Sequence, residues 1–104
     1  MAYVGLSYWN RRDGADRALM AQAALDVCKA MKVSDAVDDI RFYWSGPDSL
    51  VVQAFCQTPE PLVTPPNADC ARALFALADM AHRERYEQWI DPRTGFEQYT
   101  MAGR

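Results

Sequence analysis

One histidine and three cysteines are the side chains in this 104-residue chain best suited to acid–base or nucleophilic chemistry near neutral pH. His82 could serve as a general base or a metal ligand, and helical spacing places it at the border of an apolar helix face beside Phe75 and Tyr86. A histidine bonded to backbone or solvent is the ordinary outcome there. Cys70 falls in the first turn of the same expected helix, where backbone N–H groups and the helix dipole can lower a thiol pKa. At a rise of 1.5 Å per residue the two lie about 18 Å apart, too far for a nucleophile–base pair. Cys70 therefore reads as a buried structural thiol, as do Cys28 and Cys56 among their apolar neighbours. The odd cysteine count without a C-x-x-C pair argues against a disulfide framework and a zinc site, so no metal is expected. Asp38 and Asp39 are adjacent at a strand entry and point apart, which suits a solvated turn. Arg83 and Glu87, read at i, i+4 on a helix, need be no more than a surface pair.

The elements that must position these groups are legible as changes of period. Residues Ala2 to Asn10 alternate Val4, Leu6 and Tyr8 with Tyr3, Gly5, Ser7 and Trp9, which predicts a first strand. Asp13-Gly14-Ala15-Asp16 offers a turn and helix start, and Leu19, Met20, Ala23, Ala24, Val27 and Met31 mark an amphipathic helix ending near Lys32. From Asp39, Ile40, Phe42 and Trp44 alternate with Arg41 and Tyr43 up to the break at Ser45-Gly46-Pro47-Asp48. Leu50 to Gln57 then completes a hairpin. Pro59, Pro61, Pro65 and Pro66 predict an extended connection with no ladder bonds. Asn67 can cap a second helix, in which Cys70, Leu74, Ala78, Ala81, Arg85 and Trp89 share an arc, stopped by Asp91-Pro92. Phe96 to Met101 is expected as the last strand.

This order, βαββαβ, closes most simply as one ferredoxin-like α+β domain over residues 1–104, a four-stranded antiparallel sheet with two helices on one face. With 50% hydrophobic and 24% charged residues the chain is expected to fold. A net charge of −3 offers no footprint for nucleic acid, and the RNA-binding aromatic pattern is missing from Leu50 to Gln57. No stretch is apolar enough for a membrane span and the amino terminus does not read as a signal peptide, so a cytoplasmic location is expected.

If Val4/Leu6, Ile40/Phe42 and Val52/Ala54 meet the helices, the other sheet face presents Tyr3, Ser7, Trp9, Arg41, Tyr43, Gln53, Phe55 and Tyr99, with Val51 among them. Such a face is expected to be covered, either as a ligand pocket or as a subunit interface. In element order, length and this aromatic face, the chain resembles the dimeric α+β barrel superfamily, including the antibiotic-biosynthesis-monooxygenase-like proteins. The resemblance implies a homodimer with paired sheets and a pocket beside or between them. It also implies activities ranging from cofactor-independent oxygenation to haem degradation and isomerisation, so it cannot supply the function by itself. Haem-degrading members carry an asparagine on the first strand, a tryptophan near the end of the third and a histidine on the second helix. Asn10 and His82 match two of these roles, but Cys56-Gln57-Thr58 stands at the third, with Trp44 a weak substitute. No haem and no other cofactor are therefore expected. The reading is a homodimeric protein binding a small hydrophobic ligand or a partner; the alternative is a cofactor-independent monooxygenase-like enzyme acting on an aromatic or polyketide-like substrate through Trp9, Tyr43 and His82.

Overall fold

A computed structural model describes residues 3–90. Its elements are β1 (Tyr3–Arg11), α1 (Arg17–Lys32), β2 (Val37–Trp44), β3 (Ser49–Cys56), α2 (Glu60–Val63), α3 (Ala68–Met80) and β4 (Ala81–Ile90). The strands form one antiparallel sheet in the order β2-β3-β1-β4, the ferredoxin-like arrangement, with α1 and α3 packed on one side.

Side-chain caps set both long helices. Asp16 accepts from the backbone N–H groups of Ala18 and Leu19 at 2.8 and 3.1 Å. Asn67 accepts from the Cys70 N–H at 2.8 Å and donates through Nδ2 to the Ala30 carbonyl at the same distance, which ties the start of α3 to α1. Between the helices, Ala23, Ala30 and Ala73 are small and buried, so the backbones approach closely. The core beneath them is built on Met20, Val27, Leu50 and Leu77, all at most 2% exposed.

Two expectations are corrected. The segment between the hairpin and the second long helix is not wholly extended: Glu60–Val63 forms a single turn, with Pro61 near its start, where a proline costs no hydrogen bond. More consequentially, the second long helix stops at Met80, and Ala81–Ile90 is the fourth strand, although His82-Arg83-Glu84-Arg85 suits a helix. Arg12 ends the helix: its N–H donates to the Met80 carbonyl at 2.9 Å and its Nε to the Ala78 carbonyl at 3.0 Å, taking up carbonyls that would otherwise bond the next turn. The chain then pairs along the whole of β1, from Arg11↔Ala81 to Tyr3↔Ile90. The strand expected at Phe96 to Met101 lies outside the described residues, as does Tyr99.

The parity of β1 also departs from expectation. Ser7 stands opposite Val52 and Tyr86, and Trp9 opposite Leu50 and Arg83, so Tyr3, Gly5, Ser7 and Trp9 face the helices. Val4, Leu6 and Tyr8 project from the outer face. The parity of the hairpin is as expected: Ile40, Phe42, Val52 and Ala54 face the helices, and Arg41, Tyr43, Gln53 and Phe55 face outward.

Candidate functional site

Turning Gly5 and Ser7 towards the helices removes bulk from the middle of the sheet. A cavity of about 90 Å³ lies above them, floored by Gly5, Ser7, Trp9, Val52 and Ala54 and walled by Val27, Met31, Leu62, Leu74 and Leu77. A water needs roughly 10–15 Å³ of such space, so the cavity has room for several waters or a small organic molecule.

Three polar groups enter this apolar space. Trp9, 5% exposed, donates its indole Nε1–H to Ser7 Oγ at 2.9 Å, which satisfies the indole and leaves the Ser7 hydroxyl hydrogen to donate elsewhere. The Tyr86 hydroxyl donates to the Leu62 carbonyl at 2.7 Å, holding the α2 turn against the edge strand. Burial raises the Tyr86 pKa above its usual 10.0, so the phenol stays protonated near neutrality. Gly5 makes this contact feasible: a Cβ there would lie 2.7 Å from Leu62 Cδ2 and 3.0 Å from the Tyr86 oxygen. Arg83, solvent-exposed, stands at the rim.

A β-bulge brings Arg83 and Tyr86 to one side. Tyr8 pairs with Arg85 but Trp9 pairs with Arg83, so Glu84 is an extra residue in β4. Residues three apart on a regular strand point to opposite faces; the inserted residue restores Arg83 to the face of Tyr86, with its guanidinium carbon 5.4 Å from the ring centroid.

The residues singled out from sequence fall into two places. Ser7 and Trp9 line the cavity. Tyr3 shares their face but is not among its lining residues. Arg41, Tyr43, Gln53 and Phe55 lie on the outer face, across the sheet from Trp9. His82 is there too, exposed on β4 opposite Asn10. Its expected place on a helix beside an apolar face is thus corrected, and Trp9, Tyr43 and His82 do not converge. Asn10 instead joins a polar chain, accepting from Ser49 Oγ at 2.7 Å and donating to Glu84 at 3.1 Å. Arg83 and Glu87, read as helix neighbours, face opposite sides of the sheet, and Glu87 pairs with Arg85 at 3.3 Å.

The thiols are buried, and burial raises their pKa values, that of Cys28 to about 11. Cys70, fully buried at the start of α3, has the surroundings of a structural cysteine despite the helix N-terminus. Asp39 is engaged by Lys32 at 3.2 Å and Arg41 at 2.8 Å. Arg83, Tyr86, Gly5 and Leu62 were not singled out from sequence as site residues. The one available signal was a glycine and a serine at alternate positions of an otherwise bulky strand.

No protein-family model matches the sequence. No characterised protein matches it by sequence either. Solved structures do match in shape. A dimeric ferredoxin-like protein of unknown function from Thermobifida fusca superposes with a TM-score of 0.71 at 15% identity, covering 88% of this chain and 92% of its own. A protein assigned as an antibiotic biosynthesis monooxygenase from Chloroflexus aurantiacus gives 0.67 at 11% identity, covering 88% and 93%. SnoaB, a cofactor-independent oxygenase from Streptomyces nogalater, gives 0.69 at 8% identity, covering 85% and 90%. Among the described residues, no helix is long and apolar enough to cross a membrane. The chain has the ferredoxin-like α+β fold shared by the antibiotic biosynthesis monooxygenase-like proteins.

Proposed function

We propose that this protein binds a small, largely apolar molecule in the cavity between its sheet and helices, as a homodimer joined through the outer sheet face. The carrying observation is the make-up of the cavity: Trp9, Ser7 and Tyr86 present a few fixed polar atoms within apolar walls, the usual form of a small-ligand site. Among the described residues its lining holds no His, Asp, Glu or Lys, so it lacks the customary proton acceptors of acid–base catalysis. That composition favours binding over catalysis.

The dimer reading rests on surface. The helices cover one face of the sheet, while the other shows Tyr43 at 50% and Trp89 at 54% exposure beside half-buried Tyr8, Val51 and Phe55. With about half of its area still exposed, each such aromatic contributes about 2–3 kcal/mol when covered, at roughly 25 cal/mol per Å² and before the cost of association. A two-fold axis through this face would let the same residues serve both subunits. The Thermobifida fusca protein of the same fold is described as dimeric. Sedimentation should show a dimer at micromolar concentration, and Tyr43→Glu or Phe55→Glu should shift it towards monomer or aggregate. Arg72→Glu, on the exposed surface of α3, should not. A wild-type monomer would end this part of the reading.

A second reading, cofactor-independent oxygenation of an aromatic or polyketide-like substrate, is favoured by the fold shared with SnoaB and by the indole of Trp9 in the cavity. Oxygen uptake with a naphthol probe, abolished by Trp9→Phe, would select it over simple binding.

A further inference from the structure

Six of the seven arginines among the described residues have a partner. Arg11 pairs with Asp48, Arg41 with Asp39, Arg72 with Asp69 and Arg85 with Glu87. Arg12 donates to the Ala78 carbonyl and Arg17 to the Pro47 carbonyl. Arg83 alone has neither a hydrogen bond nor an ion pair among the described residues; its one contact of this kind is the ring of Tyr86. It is also the arginine that lines the cavity.

Its position depends on the irregularity in β4. With regular pairing, residue 83 and residue 86 would face opposite sides of the sheet, and the guanidinium could not share the cavity edge with the Tyr86 ring. Bulges commonly re-aim a side chain in this way beside a binding site. The polar atoms deeper in are neutral: Ser7 Oγ accepts from Trp9, and the Tyr86 hydroxyl is committed to the Leu62 carbonyl. Among the described residues the lining carries no carboxylate to neutralise Arg83. A guanidinium presents paired N–H groups that match a planar carboxylate.

We infer that the ligand is a small organic carboxylate, its acid group on Arg83 at the rim and its apolar body over Gly5 and the Trp9 ring. This rests on the binding reading above. Charge at the rim then sets the orientation, and the apolar walls supply most of the contact area.

The test uses two probes of equal length, sodium hexanoate and 1-hexanol, followed through the Trp9 indole N–H resonance, assigned with Trp9→Phe. Both should move that resonance. At low ionic strength hexanoate should bind about tenfold more tightly than hexanol, and added salt should narrow the gap because Arg83 is exposed. Arg83→Gln should remove the preference, bringing hexanoate to the level of hexanol, whereas Arg72→Gln should leave the preference intact. Equal binding of the two probes, or a preference that survives Arg83→Gln, overturns the carboxylate inference and leaves the cavity as a neutral site. If neither probe moves the Trp9 resonance, the binding reading falls with it.

Discussion

The hydroxyl of Tyr86 on the edge strand donates to the backbone carbonyl of Leu62 at 2.7 Å, so this bond ties the sheet to the short α2 turn beside the cavity. α2 is a single turn whose preceding residue, Pro59, makes no side-chain cap, and apart from this bond it is held by the burial of Pro61 and the packing of Leu62 against the core. Tyr86→Phe should cost about 1 kcal/mol, the usual net worth of such a bond. The loosening should be local. Amide exchange at Leu62 and Thr64, whose N–H groups donate to Pro59 and Glu60, should speed up while α1 stays protected. Unchanged exchange in α2 would mean that the Tyr86 bond does not hold it.

Gly5→Ala tests the close approach on the other side of that bond. An alanine in a strand gains roughly 0.4–1 kcal/mol from reduced freedom of the unfolded chain, but overpacking costs about 1–3. The new Cβ would sit 2.7 Å from Leu62 Cδ2 and 3.0 Å from the Tyr86 oxygen. Both are side-chain ends that can give a little, so the net loss should lie near the low end, about 1 kcal/mol by denaturant unfolding. A stabilised variant would show that α2 moves away freely.

Asp39 should titrate low. Lys32 first and then Arg41 hold its carboxyl below the ordinary 3.8. A depressed folded pKa gives stability that is present above the unfolded value and lost as pH falls through the folded one, so the effect belongs to the acid side of about pH 4. NMR titration should place the Asp39 midpoint under 3.8, and Lys32→Gln should raise it. A midpoint indifferent to Lys32 would assign the shift elsewhere.

The three cysteines should be slow to label in native protein. Burial disfavours their thiolates, with Cys28 raised to about 11 even though Lys32 pulls the other way. At pH 8 a thiol reagent should react in the folded state far more slowly than after unfolding, with no fast site at Cys70. As pH rises from about 9 towards the folded value, the unfolded state binds fewer protons and gains, so stability should decline. Rapid native labelling of Cys70 would revive it as a nucleophile.

Local chemistry was enough to read much of this chain. Asp16 and Asn67 announce their helices as capping residues, the 3.6-residue period of Met20 to Met31 fixes the buried side of α1, and strict alternation sets the parity of β2 and β3. Where a strand is apolar on both faces, alternation carries no sign. On β1, Val4 and Leu6 fit the core as well as Trp9 does, and only pairing against β3 and β4 decides that Trp9 goes in. The end of α3 was beyond local reach for a similar reason. Ala81 to Glu87 are helix-compatible residues, and it is Arg12, nearly 70 positions away, that takes the terminal carbonyls while β1 offers a full ladder. The site follows from those two non-local choices. Gly5 and Ser7 open the cavity because β1 turned that way, and Arg83 reaches it because β4 is a strand with one residue too many.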